Sequence, residues 1–317
     1  VTSHETGGTV PQQLTERVPV AGGDLAVHVL AQAPADAPTV VALHSISSNG
    51  LVWVPVGRAL AGRVTLLAPD MRGRAESASL RSTGLADHVA DTVRVLDHFG
   101  LESAVLAGHA MGGFAAVLTA ATHPERVGSV VLVDGGLAFP SPGTFDVDEV
   151  LHSIIGPAMD RLSMTFDDQA AYLRHWAAHP AMGPLLESPA GGDLAAYLLH
   201  DLAGVAGQMR STSSLECVRA DWADLMSDPA TLSAIHTLQC RAHLFWASRG
   251  PLGQPRGLYS PEHIAEARLP DDIEVTRLAG DHYGVLLEPA AVAAVADAFA
   301  GLAGIPTSGQ GIHSSVK

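Results

Sequence analysis

The sequence has little of several things, and each shortage narrows what the protein can be. Cysteine occurs twice in 317 residues, at Cys217 and Cys240. Two distant thiols fit no zinc-ligand spacing; they read as buried thiols in a reducing compartment, with a single disulfide between them as the lesser alternative. Basic residues number 18 against 33 acidic ones, for a net charge of −15 and an isoelectric point near 5.4. That balance argues against nucleic acid and anionic membranes as partners, because both recruit basic patches. No stretch reaches the roughly 18 consecutive apolar residues of a membrane span. The first twenty residues are polar and lack a signal-peptide apolar core. The expectation is a soluble, cytoplasmic protein. Metal motifs such as H-x-H or H-E-x-x-H are absent, as are a phosphate-binding G-x-x-x-x-G-K-[ST] and a strand-linked G-x-G-x-x-G. Neither a metal, a nucleotide nor another cofactor is therefore expected.

What the chain does have is apolar substance and rhythm. Hydrophobic residues make up 47% and mean hydropathy is +0.21, enough for a sizeable core. The high Ala, Gly and Val content suits a GC-rich bacterial genome. Strands are expected at 14–20 and 25–30 around the turn Ala21-Gly22-Gly23-Asp24, then at 39–43, 64–68, 104–107, 127–133, 243–247 and 273–278. Several of these runs are apolar on both faces, the mark of parallel strands covered by helices on both sides. Helices are expected at 85–99, with Gly100 as C-cap, at 111–123 and at 289–302. From 137 to 236 no run reads as a strand. Helical patterns at 147–155, 170–178, 194–206 and 214–226 make this a helical cap. The expected organisation is an α/β core at 14–136 and 237–302, a cap at 137–236, and loose termini at 1–13 and 303–317.

The chemistry gathers where the strands end, since ligand sites of open α/β sheets lie at their carboxyl ends. The strand at 104–107 runs into Gly108-His109-Ala110-Met111-Gly112-Gly113 and then a helix. Strand, sharp turn and helix are the setting of G-x-S-x-G, the nucleophile elbow of acyl transfer, but the nucleophile position holds Ala110. The Met111 N–H, at a helix N-terminus, and an N–H from the loop after the strand at 39–43, that of Ile46, can meet a developing oxyanion. His282, in Gly-Asp-His-Tyr after the last strand, is the histidine placed to act as general base. The loop after 243–247 offers no carboxylate, so the acid that orients His282 is assigned to Asp134, which lies 134 − 110 = 24 residues past the nucleophile position, one helix and one strand further on. Asp281 points away if His282 points in. Asp70 is expected to brace the loop at 70–74. His44 and His109 flank the site as hydrogen-bonding residues. Ser45, His109, Trp53 and Arg249 are candidates for substrate contact, Arg249 for a substrate carboxylate.

These residues resemble the α/β-hydrolase superfamily over about 14–302: His44-Ser45-Ile46, where Ser45 stands in place of the usual glycine, Pro69-Asp70-Met71-Arg72-Gly73-Arg74, Gly108 to Gly113, Val133-Asp134 and Gly280-Asp281-His282. The resemblance implies an eight-stranded, mostly parallel sheet with a helical lid after the sixth strand. The wording Gly-His-x-Met-Gly-Gly is that of serine hydrolases; dehalogenases and epoxide hydrolases place an aspartate at position 110 and usually an aromatic at 111. Length and layout also resemble monoalkyl phthalate hydrolases, so a small monoester with an apolar chain is the expected substrate. A lactonase or a C–C bond hydrolase would use the same three groups. As for Ala110, either a serine was replaced to trap a bound substrate or the chain became a ligand-binding protein. The persistence of Gly108, Gly112, Asp134 and His282 favours the first.

Overall fold

The apolar runs between residues 39 and 133 assemble side by side. In the computed structural model, which describes residues 14–139, 156 and 158–302, they form the centre of one eight-stranded sheet. Its strands are β1 (Leu14–Val20), β2 (Gly23–Ala31), β3 (Thr39–Leu43), β4 (Thr65–Pro69), β5 (Ala104–His109) and β6 (Val127–Val133). Two short strands, β7 (Leu202–Ala203) and β8 (Arg210–Ser211), form a separate ribbon, and β9 (Arg241–Ala247) and β10 (Ile273–Leu278) complete the sheet. Its order is β1-β2-β4-β3-β5-β6-β9-β10. Strand β2 runs antiparallel to both neighbours, and every later pair is parallel.

The central parallel strands β3 to β6 and β9 are covered on both sides, as their largely apolar sequences require. Every residue of β5 is buried. Helix α1 (Val54–Ala59) packs against a C-terminal helix, Pro289–Leu302, while α2 (Leu85–His98) packs against α3 (Met111–Thr122). Helix α2 ends in a Schellman motif. Gly100, at φ +65°, donates to the Asp97 carbonyl, and the Leu101 N–H returns to Leu96. Among the described residues no helix is long and apolar enough to cross a membrane.

Between β6 and β9 lie α4 (Gln169–Ala177), α5 (Met182–Leu186), α6 (Gly191–His200), α7 (Leu215–Ser227) and α8 (Pro229–Ser233). The side chains of Asp168, Ser214 and Asp228 cap α4, α7 and α8. The helix expected at 147–155 lies outside the described residues. The expected strand-free cap needs correction, because β7 and β8 pair within it. The helix expected to run to 206 stops at His200, because the Asp201 carboxylate collects the hydroxyls of Ser211, Thr212 and Ser213 and holds the chain in the ribbon. The core resumes with α9 (Pro261–Ala267) and closes with α10 (Pro289–Leu302).

The topology fixes where a ligand can sit. From β3 the chain moves one way to β4, then crosses back to β5 on the other side. The loops leaving β3 and β5 therefore part, opening a crevice at their carboxyl ends. Residues 44–50 and 108–112 occupy it.

Candidate active site

A tight, strained turn follows β5. Ala110 sits at φ +48°, ψ −116°, a conformation that costs a residue with a Cβ about 1–3 kcal/mol. Two hydrogen bonds hold it: Ala110 N–H to the Val133 carbonyl at 3.0 Å, and Gly113 N–H to the Ala110 carbonyl at 2.9 Å. The flanking glycines are steric requirements. A Cβ at Gly108 would lie 2.1 Å from the Gly112 carbonyl oxygen, and one at Gly112 would lie 2.3 Å from that of Leu43. The turn presents the Ala110 methyl to a cavity and starts α3 at Met111, whose N–H, like the other first amides of a helix, has no intrahelical partner.

His282 and Asp134 meet beside this turn. His282 Nδ1 lies 2.6 Å from Asp134 Oδ2, and both residues are buried. Asp134 is held as firmly as the elbow. Its backbone is at φ +49°, its N–H donates to Phe245, and its Oδ1 accepts the Ala247 N–H at 3.0 Å. The carboxylate is thus aimed from the end of β6 across the end of β9. Asp281, beside His282, turns away: its Oδ1 accepts the N–H groups of Tyr283 and Gly284. His109 supports His282 from behind. Its Nε2 donates to the His282 carbonyl at 2.9 Å, and the two rings lie 4.5 Å apart. Burial and the neighbouring His282 hold the His109 pKa well below its ordinary value, so this ring is neutral.

The loop after β3 is clamped from four directions. His44 Nδ1–H donates to the Ser45 carbonyl at 2.7 Å, and its Nε2 accepts the Met71 N–H at 2.8 Å. Burial brings its pKa down to about 3. Arg74, wholly buried, grips the Ile46 carbonyl with Nε and Nη2 at 2.9 and 2.7 Å and pairs with Asp221 of α7 at 2.6 Å. Arg161 donates to the Ser47 carbonyl at 2.5 Å and pairs with Asp201 at 3.1 Å. Tyr197 of α6 meets Ser48 through its hydroxyl and Asn49 through its carbonyl. Burial pushes the Asp221 carboxyl up, but the charges of His88 and Arg74 more than offset this and hold it well below the usual range. Sequence reading missed Arg74, Arg161, Asp201 and Asp221 as supports of this loop; an arginine in the 70–74 loop was visible, its partner on α7 was not.

Two cavities share Ser45, Ile46 and His282. The first is apolar: Ala110, Met111, Phe139, Trp222, Leu225, Pro251 and Leu258 complete it. The second is more polar, with Ser47, Ser48, His109, Tyr197 and Tyr283 in its wall. The structure therefore brings Ala110, His282, Asp134, Ile46, Met111, Ser45 and His109 together. It does not bring Trp53 or Arg249. Trp53 is fully buried in the hydrophobic core and lines neither cavity. Arg249 is half exposed, lies 3.6 Å from Asp281, and also lines neither.

Three groups that no sequence spacing links also meet. His28, Asp70 and His200 converge, with ligand atoms within 4.8 Å of one another. Asp70 does brace its own loop, accepting the Glu76 N–H. It also accepts the Gly50 N–H from the loop after β3.

The α/β hydrolase fold family model matches residues 38–289. A putative carbamate hydrolase, RutD, of Caulobacter sp. (strain K31) is 34% identical over 102 residues, 32% of this chain and 38% of the relative. Lipase LipV of Mycobacterium tuberculosis (strain ATCC 25618 / H37Rv) is 28% identical over 112 residues, 35% of this chain and 42% of the lipase. The matched stretches thus span well under two thirds of these relatives' length. Among solved structures, E-2-(acetamidomethylene)succinate hydrolase superposes with a TM-score of 0.74 at 22% identity, covering 92% of this chain and 99% of that one. With the matched region running from before β3 into α10, and with the strand order, the elbow after β5 and the histidine after β10 all in one frame, the chain belongs to the α/β-hydrolase fold family.

Proposed function

We propose that this is the scaffold of a carboxylic-ester hydrolase working through an acyl-enzyme, with Ala110 at the position of its nucleophilic serine. The observation that carries the reading is the 2.6 Å contact between His282 Nδ1 and Asp134 Oδ2, with His282 lining the same cavity as Ala110. With Nδ1 engaged by a carboxylate, Nε2 is the ring nitrogen left for proton transfer. In the chain carrying serine at 110, His282 takes the hydroxyl proton as Oγ attacks the ester carbonyl. The N–H groups of Met111 and Ile46 receive the oxyanion, and His282 then protonates the departing alcohol. Water, activated by the same histidine, cleaves the acyl-enzyme. The chain with Ala110 retains substrate binding and the oxyanion donors but lacks the attacking atom.

The first cavity favours an apolar or aromatic group against Phe139, Trp222 and Leu225. A monoalkyl phthalate or similar small monoester fits that lining. Its carboxylate would meet hydroxyls of the second cavity, because Arg249 lies outside both. Lactone, carbamate or C–C bond cleavage would use the same three groups, and the carbamate hydrolase and lipase among the relatives place esters and carbamates on the same test panel.

The test is Ala110→Ser assayed on short p-nitrophenyl esters, monoalkyl phthalates, carbamates and lactones. Restored ester turnover supports the proposal. Turnover no higher than that of the Ala110 chain on every substrate sinks it in favour of a ligand-binding protein, for which tight binding without turnover is the signature.

A further inference from the structure

Away from the cavities, three side chains from three separate elements converge. His28 comes from β2, Asp70 from the loop leaving β4, and His200 from the last residue of α6. His200 Nε2 lies 2.8 Å from Asp70 Oδ2, and His28 Nε2 lies 3.1 Å from the same oxygen. His28 is 2% exposed and Asp70 is fully buried. His28 Nε2 is buried, and its contact with the carboxylate is an ion-pair approach rather than a well-aligned hydrogen bond. We propose that His28, Asp70 and His200 form a binding site for a divalent transition-metal ion, Zn²⁺ by preference, that staples the cap helix α6 to the sheet.

The donor set selects the metal. Two imidazole nitrogens and one carboxylate oxygen suit Zn²⁺ and its neighbours, whereas Mg²⁺ and Ca²⁺ ask for oxygen throughout. Tetrahedral ligands about 2.0–2.1 Å from zinc stand about 3.4 Å apart. The two nitrogen–oxygen separations fall a few tenths of an ångström short of this, an adjustment within reach of side-chain torsions. The surroundings also match. His28 Nδ1 lies 3.0 Å from the Thr15 hydroxyl, which can fix the tautomer that leaves Nε2 free for the metal. Asp70 Oδ1 accepts the Gly50 N–H at 2.8 Å, which fixes the plane of the carboxylate. His200 retains 16% side-chain exposure, so a water can complete the coordination from that side. Binding would displace any proton shared among the three groups and release it to solvent.

The consequence reaches the neighbouring site. Asp70 holds Gly50, at the end of the loop that carries Ser45 and Ile46. A metal here ties that loop, β2 and α6 into one unit without touching the proposed chemistry.

Titration of the intact chain with ZnCl₂, followed by calorimetry, should give one equivalent bound. His200→Gln should weaken binding at least a hundredfold, and Thr15→Val about tenfold, as expected for a group acting through a ligand. Anomalous diffraction at the zinc edge provides a readout that does not depend on how any variant folds: the peak should lie between the three side chains. No binding, undiminished affinity in a folded His200→Gln chain, or a peak elsewhere overturns the proposal. None of these outcomes bears on whether Ala110→Ser hydrolyses esters, so the two readings stand or fall separately.

Discussion

At residue 110 the backbone holds an alanine in a conformation that residues with a Cβ rarely adopt. Positive φ at a residue with a Cβ persists only where the surroundings impose it, and here the contacts of Gly108, Gly112 and the Val133 carbonyl do so. The elbow was legible in the sequence because all of it lies within five residues. Asp134 was harder. It had to be found by counting one helix and one strand onward, and by the absence of a carboxylate between Ser248 and Gln254. What fixes it is now specific: φ +49°, an Oδ1 bonded to Ala247 and an Oδ2 bonded to His282. In the Ala110→Ser background, Asp134→Asn should lower kcat by roughly 10⁴-fold, since an amide favours the wrong imidazole tautomer while leaving KM little changed. Steady-state kinetics decide it; a loss under tenfold would mean that another group orients His282. Trp53 and Arg249 line neither cavity, for a simpler reason. A residue's place in a loop or short helix does not tell which way its side chain faces, and one turned into the core while the other turned to Asp281.

At the scale of elements, the loop from His44 to Gly50 is the part least legible in the sequence. Its conformation is set by groups distant along the chain: Arg74 backed by Asp221, Arg161 backed by Asp201, and Asp70 beneath Gly50. Local patterns report strands, helices and turns, while the ion pairs that lock a loop depend on how the cap settles on the core. His44 makes this loop sensitive to acid. The folded state holds its imidazole neutral, with a pKa of about 3, against an ordinary value of 6.5. The contribution is complete above about pH 6.5 and is lost progressively as pH falls toward 3, because the unfolded chain takes a proton that the folded loop refuses. The slope from one such group approaches about 1.4 kcal/mol per pH unit. His109 and His179 share the sign, both being lowered mainly by burial. At His200 burial lowers the pKa, but hydrogen bonding to Asp70 outweighs it and leaves it raised, which gives the opposite sign. Urea unfolding from pH 7 to 4 should therefore show a slope shallower by close to one proton in His44→Gln, whose amide keeps a donor and an acceptor without titrating. An unchanged slope would assign the acid sensitivity to the other histidines.

At the scale of the whole molecule, the charge balance makes its own demand on the substrate. The chain carries −15, and no arginine or lysine is among the residues lining either cavity. A monoester bearing a free carboxylate must approach against that field, with no cation at the described walls to receive it. A sphere of this charge about 25 Å in radius repels a monoanion by about 1.4 kcal/mol at 10 mM salt and about 0.7 kcal/mol at 100 mM. The difference corresponds to about a threefold gain in kcat/KM for an anionic ester over that range, and to none for a neutral ester of similar size. Measured on the Ala110→Ser chain with a monoalkyl phthalate and the matching neutral dialkyl ester or p-nitrophenyl ester, the two salt profiles should diverge in this way. Should the monoanion show no salt dependence, or lose rate as salt rises, a local positive field must outweigh the global one.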